Sequence, residues 1–111
     1  MKKRIAIPTE GDRIAGHFGH CPEFTIVDAD GNKIVGKKVL NNPGHKPGFL
    51  PIFLKEAGVN LVVAGGMGKR AQDLFINNGI EVITGAAGSV QDIVKAFLAG
   101  QLVTAENICD H

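Results

Sequence analysis

The sequence contains no tryptophan and no tyrosine, and only two of its 111 residues are cysteines. Without tryptophan and tyrosine, the protein lacks the usual stacking surface for the bases of a nucleic acid. The two cysteines, Cys21 and Cys109, lie far apart in the chain. In a reducing compartment such cysteines are more often thiols or ligands than partners in a disulfide. We therefore expect neither a nucleic-acid-binding protein nor a disulfide-stabilised one.

Long apolar runs and an excess of one charge are missing as well. The net charge is +1, and the longest basic block is Met1–Arg4, which again argues against nucleic acid as a partner. The longest apolar runs, such as Leu61–Ala64, are far too short to span a bilayer. After the basic start only Ile5–Ile7 is apolar, and a signal peptide needs a longer apolar stretch. We therefore expect a cytoplasmic protein that does not associate with membranes.

The length of the chain fits one domain, which we place at residues 1–111 with 103–111 as a candidate flexible tail. A domain of this size buries roughly 65% of its unfolded surface and needs no disulfide. The apolar fraction is 44% and the charged fraction is 21%, as in ordinary soluble globular proteins.

Hydrophobic periodicity predicts five strands and three helices. The predicted strands are Lys3–Pro8, Phe24–Asp28, Lys33–Leu40, Leu61–Ala64 and Ile80–Thr84. The residues predicted to face the core from the helices are Leu50, Phe53, Leu54 and Ala57, then Met67, Ala71, Leu74 and Phe75, and finally Val90, Ile93, Val94, Phe97 and Leu98. Ser89 with Asp92 predicts a capping box before the third helix, and the segment from Thr9 to Cys21 is predicted as a loop.

The order of these elements, βββαβαβα, predicts an α/β fold with a mixed five-stranded sheet. Ala29–Asn32 is a tight-turn signal, so the second and third strands form a hairpin. Helices connect the later strands, which makes strands one, four and five parallel. Right-handed crossovers then place strand four beside strand one and strand five beyond it. The expected strand order is 3-2-1-4-5, with strand two antiparallel.

This topology brings four unusual loops to one edge of the sheet. The loops are HFGHC at 17–21, NNPGHKPG at 41–48, GGMGKR at 65–70 and GAAGS at 85–89. They follow strands that point the same way, and ligands of open α/β sheets bind at that carboxyl edge. Two of the loops precede helices, whose N-termini favour anions. We therefore expect a glycine-lined pocket that contains imidazoles and a thiol.

Imidazole and thiolate groups in these loops are candidate ligands for a metal ion or a metal–sulfur cluster. The candidates are His17, His20, Cys21 and His45, with Cys109 and His111 in the C-terminal tail. The spacing in HFGHC matches no zinc-finger pattern, so a solvated turn and a cysteine nucleophile stay open as alternatives. The tail spans at most about 35 Å, which is enough to return to the edge, and a frayed terminus is the alternative. Met67 is either a core residue or a ligand of a soft metal.

Three short motifs carry a resemblance to a known family. They are His17-Phe18-Gly19 in the first loop, Gly66-Met67-Gly68 after the fourth strand, and Gly88-Ser89-Val90 at the start of the last helix. With this order and spacing, the chain from Arg4 to about Leu102 resembles the dinitrogenase iron–molybdenum cofactor biosynthesis family. That family comprises small NifX-like proteins and NifB C-terminal domains. The resemblance implies a three-layer fold similar to ribonuclease H, with the strand order derived above.

The resemblance also implies a function, which is non-catalytic binding or carrying of an iron–sulfur or molybdenum-containing cluster or its precursor. The residues that it implies for cofactor binding are His17, Phe18, Gly19, Gly66, Met67, Gly68, Gly88 and Ser89. Among them His17 is the motif residue most expected to be a ligand. Two cysteines are too few for a cluster held by four protein thiolates, so a pre-assembled cluster or a metal–sulfide anion is expected. Cluster donor or acceptor proteins are the implied partners, and a monomer or weak homo-oligomer is the expected state.

Two other functions are weighed against the cluster carrier. A nuclease of ribonuclease H type needs several carboxylates around two metal ions, yet the first and fourth strands contain no acid, and Glu10, Asp12 and Asp28 do not obviously replace them. A regulatory module that binds a small anion or nucleotide would use GGMGKR and GAAGS, with Lys69 and Arg70 neutralising the charge. The GGMGKR stretch does not have the spacing of a P-loop.

Overall fold

A computed structural model describes residues 2–15, 18, 21–44 and 49–100 of the chain. The strands are β1 Lys2–Glu10, β2 Arg13–Ile14, β3 Glu23–Asp30, β4 Lys33–Asn41, β5 Leu61–Val63 and β6 Glu81–Ile83. The helices are α1 Phe49–Glu56, α2 Lys69–Asn77 and α3 Val90–Leu98. The predicted α/β class is therefore confirmed. No helix within the described ranges is long and apolar enough to cross a membrane.

The sheet pairs its strands in the senses expected from their connections. β1 is antiparallel to β3 and parallel to β5, β3 is antiparallel to β4, and β5 is parallel to β6. The main path through the sheet runs β4-β3-β1-β5-β6. Strands joined by short turns are antiparallel and strands joined through helices are parallel, because only a long crossover returns the chain to the same direction.

Among the described residues the sheet has six strands rather than the predicted five, because part of the first loop turns back onto β1. β2 pairs antiparallel with the end of β1, with Thr9 opposite Ile14 and Glu10 opposite Arg13. Gly11 in the intervening turn has a φ of +66°, a conformation that glycine adopts without steric cost. A two-residue strand is too short to show an alternating pattern, which is why the sequence predicted only a loop here.

Helices cover both faces of the sheet and create two hydrophobic clusters. Successive strand residues point to opposite faces, so Ala6 packs under α1 and α2 while Ile5 and Ile7 pack under α3. Leu54 and Phe75 are fully buried in the first of these clusters. The result is three layers, in which the central sheet holds its loops in a fixed arrangement at each edge.

The helix starts agree with the sequence in one case and correct it in another. The Ser89 Oγ accepts a hydrogen bond of 3.2 Å from the Asp92 N–H at the start of α3, so the Ser89 half of the predicted capping box is confirmed. Met67 was predicted to face inward from the second helix, but α2 begins only at Lys69. Met67 is buried, yet it lies in the loop before the helix, because the extended backbone of Gly68 separates the two.

Candidate functional site at the carboxyl edge

The described parts of the four glycine-rich loops share one edge of the sheet. β1, β5 and β6 are parallel, and β4 points the same way because it is antiparallel to β3, which is antiparallel to β1. The chain therefore leaves β1, β4, β5 and β6 at this edge, which we call the carboxyl edge. The opposite edge holds the turns at 31–32, 57–60 and 78–80.

Backbone hydrogen bonds join these loops to one another. Phe18 N–H donates to the Gly66 carbonyl at 3.0 Å, which connects two of the three motifs singled out in the sequence. Gly85 N–H donates to the Gly65 carbonyl at 2.9 Å, and Ile14 N–H donates to the Gly88 carbonyl at 3.0 Å. The first loop thus contacts both of the loops that precede helices. The expected convergence of the described parts of these motifs is confirmed.

Phe18 directs its side chain into the hydrophobic core. Its ring centroid lies 5.6 Å from that of Phe24 on β3 and 5.1 Å from that of Phe75 on α2. The ring planes of Phe18 and Phe75 are at 87°, an edge-to-face arrangement that aromatic pairs favour. Phe18 itself stays half-buried while its two partners are fully buried. The ring therefore ties the first loop to the core.

Met67 and Cys21 are both buried at this edge, at 1% and 3% exposure. Met67 lies in the same hydrophobic cluster as Phe75, and its carbonyl accepts a hydrogen bond of 2.9 Å from the Gln72 side-chain amide. This position agrees with the core interpretation of Met67. Cys21 belongs to that cluster as well, so its thiol is largely shielded from solvent.

Asn42 is a residue of this edge that the sequence analysis missed. Its side-chain Nδ2 donates to the Cys21 carbonyl at 2.8 Å and lies 3.9 Å from the Cys21 Sγ. Its backbone N–H donates to the Pro22 carbonyl at 3.1 Å. Asn42 therefore holds the segment after β4 against the end of the first loop. The only signal for it in the sequence is its place in a loop rich in glycine and proline.

The two helix N-termini at this edge differ electrostatically. Gly68 precedes α2 without a side-chain cap, and the first turn contains no acidic residue. The N–H groups of Lys69, Arg70 and Ala71 have no partner within the helix, because the first four N–H groups of a helix never do. The side chains of Lys69 and Arg70 are exposed. The start of α2 therefore favours an anion, through both the helix dipole and two basic side chains.

The start of α3 is less suited to an anion than the start of α2. Ser89 caps it and Asp92 adds a carboxylate to the first turn. The Ser89 hydroxyl already occupies one helix donor, and the negative charge of Asp92 opposes binding of a second anion. Of these two helices, α2 thus presents the N-terminus better suited to a negatively charged ligand.

Most of the predicted ligands fall outside the described residues. These are His17, His20, His45, Cys109 and His111, and the motif residue Gly19 lies outside the described residues as well. Within the described ranges, no group of three His, Cys, Asp or Glu side chains could hold a metal ion. The described part of the edge can therefore contribute backbone donors and positive charge to a ligand, whereas a complete set of metal ligands would need residues beyond it.

The carboxylates considered for a nuclease are divided between the two edges. Glu10 and Asp12 lie at or just beyond the end of β1 at the carboxyl edge, whereas Asp28 pairs with Arg4 towards the opposite edge. Arg4 Nε donates to an Asp28 carboxylate oxygen at 2.7 Å. This hydrogen bond lowers the pKa of Asp28, and the opposite charges of Arg4 and Lys38 act in the same direction. Glu10, Asp12 and Asp28 therefore do not form a two-metal site.

Taken together, fold and site define a small α/β protein whose glycine-rich loops gather at one edge beside an anion-favouring helix start. The chain belongs to the family described as dinitrogenase iron-molybdenum cofactor, whose model matches residues 1–100. It is 31% identical over 104 residues to an uncharacterized protein, MJ0580, of Methanocaldococcus jannaschii. That match covers 89% of this chain and 88% of the relative.

Solved structures show the same architecture. The crystal structure of PH0822 matches with a TM-score of 0.87 and 38% identity, covering 91% of this chain and 93% of the other. The apo form of the orange protein of Desulfovibrio gigas matches with a TM-score of 0.77 and 26% identity, covering 95% and 94% of the two chains. The family predicted from the three motifs is thus confirmed.

Proposed function

We propose that this protein binds and carries an iron–sulfur or molybdenum-containing cluster, or a precursor of one, as a cargo that it does not chemically transform. Membership of the iron-molybdenum cofactor family supports the type of cargo. The observation that carries the proposal is the carboxyl edge, where hydrogen bonds join the motif loops beside the uncapped start of α2. Cluster binding by residues of this edge is the function that best uses these features.

The electrostatics of the edge suit such a cargo. Metal–sulfur clusters are commonly anionic, and concave arrangements of backbone N–H groups bind anions of this kind. The start of α2 supplies N–H groups and the positive charges of Lys69 and Arg70. His17, which directly precedes Phe18, is the ligand that we assign first. Cys21, His20, His45 and the tail residues Cys109 and His111 are further candidates.

The same proposal includes the fold type, the cellular location and the partners that the family resemblance implies. The fold would be of the ribonuclease H type and the protein would act in the cytoplasm. It would receive the cluster from a donor protein and pass it to an acceptor. Reversible contacts from backbone groups and a few side chains would permit such transfer, whereas four protein thiolates would hold a cluster more permanently.

The test is anaerobic reconstitution with iron, sulfide and molybdate, followed by metal analysis and visible absorption. We expect bound metal and visible absorbance in the unmodified protein, with both weakened in His17→Ala because a ligand is lost. A colourless protein that takes up none of these metals at micromolar concentrations would contradict the proposal.

Gly68→Ser tests the start of α2 separately. A serine at the N-cap would accept hydrogen bonds from the N–H groups that we assign to the cargo, and it is at least as good a cap as glycine. We therefore expect unchanged or slightly higher thermal stability together with weaker metal loading. Ser89→Gly is the matched control, because it alters the cap of the helix that we do not assign to the cargo. Equal loss of loading in both variants would contradict the role of α2.

A small-anion or nucleotide-binding module is the second candidate, and the uncapped start of α2 favours it too. Calorimetry with inorganic phosphate and with nucleotides separates the two functions. Tight nucleotide binding without metal uptake would replace the cluster proposal, whereas metal uptake with only weak binding of phosphate and nucleotides would support it.

A further inference from the structure

We propose that Phe18 is a positioning residue, which fixes the histidine-containing first loop against the β5–α2 unit and does not itself contact the cargo. This inference rests on the proposed function, but its central claim concerns the anchoring of the loop and can be tested without any metal. It changes the expected role of Phe18 from a cofactor contact to an attachment of the loop.

The stretch from residue 16 to residue 20 reads GHFGH. Its two glycines have no side chains to pack, and its two imidazoles are polar. Phe18 is thus the one residue of this stretch with a large apolar side chain that can join it to a hydrophobic core. Contacts between aromatic rings stabilise a structure by more than the burial of their surface area alone.

Two separate contacts from Phe18 lead to the same unit of the fold. Its backbone N–H donates to the Gly66 carbonyl, which follows β5, and its ring packs edge-to-face on Phe75 in α2. The unit held in this way is the one whose N-terminus carries Lys69 and Arg70. A third contact, with Phe24 on β3, joins the loop to the strand that follows it. Phe18 therefore sets the spacing between the first loop and the start of α2.

The burial of the three rings argues that Phe18 does more than fill the core. Phe24 and Phe75 are both fully buried, whereas Phe18 is half-buried and packs from outside on the cluster that contains them. Shortening the Phe18 side chain should thus disturb the loop more than the core beneath it. The expected consequence is a larger effect on loop opening and cargo binding than on global stability.

The matched comparison is Phe18→Leu against Phe53→Leu. Phe53 is also half-buried on the same cluster, but it comes from α1 and its ring stacks on Phe49 at 6.1 Å. The substitution, the degree of burial and the cluster are therefore the same, and the variants differ in the segment that is anchored and in the rings that it contacts. We expect similar decreases in melting temperature for the two variants.

The first readout is alkylation of the buried Cys21 thiol in the metal-free protein, in a Cys109→Ser background so that one thiol reacts. Loss of the anchor should speed alkylation by about tenfold in Phe18→Leu, as expected for losing one or two aromatic contacts. Phe53→Leu should change the alkylation rate of Cys21 only by the amount that its loss of global stability accounts for. Equal acceleration in both variants would overturn the proposal, whether or not the protein binds metal.

The second readout is metal loading, which is measured for Phe18→Leu with His17 intact and in a His17→Ala background. If Phe18 acts by placing His17, Phe18→Leu should weaken loading about tenfold on its own and add little in a His17→Ala background, because coupled residues are not additive. Full additivity of the two effects would contradict the positioning role. If the unmodified protein takes up no metal while the alkylation result holds, the cluster function fails and the anchoring role stands.

Discussion

Within the described residues, backbone hydrogen bonds join segments at both edges of the sheet, and the opposite edge adds a charged side chain. At the carboxyl edge, backbone groups connect the loops, as in the bonds from Phe18 to Gly66 and from Gly85 to Gly65. At the opposite edge the Asn60 N–H likewise donates to the Arg4 carbonyl at 3.0 Å, and the Arg4 side chain adds contacts of its own. Arg4 binds Asp28 through its Nε, and its Nη1 donates to the Ala57 carbonyl at 2.6 Å.

This difference separates the edge of the proposed binding site from an edge where a charged side chain stabilises the fold. At the carboxyl edge the side chains of Lys69 and Arg70 are exposed and could contact the proposed ligand. At the opposite edge the guanidinium of Arg4 is committed to Asp28 and to the Ala57 carbonyl. Substitutions at the opposite edge should therefore change stability and leave ligand binding unaffected.

The largest effect is expected at the opposite edge for Gly58→Ala. Gly58 has a φ of +86°, and a Cβ there would lie 2.9 Å from Arg4 Nη1. The backbone conformation alone should cost about 1 to 3 kcal/mol in an alanine, and Arg4 must also move away from the Ala57 carbonyl. Chemical denaturation should show a clear loss of unfolding free energy. Metal loading should stay unchanged when it is measured under conditions where the variant is fully folded.

Gly79→Ala is the control for that prediction. Gly79 also follows a helix at the opposite edge and has a φ of +78°, but no atom lies within 4 Å of the position of its Cβ. It should lose stability from backbone strain and retain the Arg4 contacts. Equal losses in Gly58→Ala and Gly79→Ala would mean that the Arg4 contact near Gly58 contributes nothing to stability.

An intermediate effect is expected at the carboxyl edge for Ser89→Ala. This change removes the hydroxyl that accepts a hydrogen bond from the Asp92 N–H, and losing such a cap typically costs about 1 kcal/mol. Thermal or urea unfolding measures the loss. Ser89→Thr keeps an acceptor and should recover most of the stability. A Ser89→Ala variant as stable as the unmodified protein would show that the cap is not needed.

The smallest effect is expected for the Arg4–Asp28 pair, because both side chains are about one-third exposed and solvent screens such pairs. The pKa of Asp28 is lowered from its ordinary value of 3.8, chiefly by the hydrogen bond from Arg4. The pair therefore stabilises the fold above that ordinary value, and the contribution disappears as the pH falls through the lower pKa of the folded state.

Asp28→Asn should remove this acid-dependent part of the stability. We expect the decrease in unfolding free energy on acidification to be less steep in the variant, as measured by urea unfolding from neutral pH down to about pH 2. In an Arg4→Met background, Asp28→Asn should change that slope much less, because the main cause of the lowered pKa is already absent. The same slope change in both backgrounds would contradict the assignment to this pair.

Several features of the fold followed from local patterns. The hairpin of β3 and β4, the parallel arrangement of β1, β5 and β6, and the Ser89 cap each depend on residues close together in sequence or on connection length. β2 could not be predicted in this way, because two residues are too few to show the alternating pattern of a strand. The Asn42 contact with Cys21 was also hidden, since an asparagine in a loop has many possible partners.

In the candidate site, too, some features could be predicted from the sequence and others could not. That the glycine-rich loops meet at one edge could be predicted, because strand direction and crossover hand follow from the order of elements. The direction of the Phe18 ring could not, because an aromatic residue between two histidines suits a ligand pocket as well as a core. The roles of His17, His20, His45, Cys109 and His111 stay predictions.

By itself, the sequence determined the α/β class, the family and the cap at Ser89, since Ser89 acts on a neighbour only three residues away. Tertiary structure alone decided that Phe18 packs on Phe24 and Phe75, and that Arg4 serves the opposite edge. Periodicity and capping are local properties of a chain. Contacts between distant residues depend on how three layers pack together, and packing is a property of the whole fold.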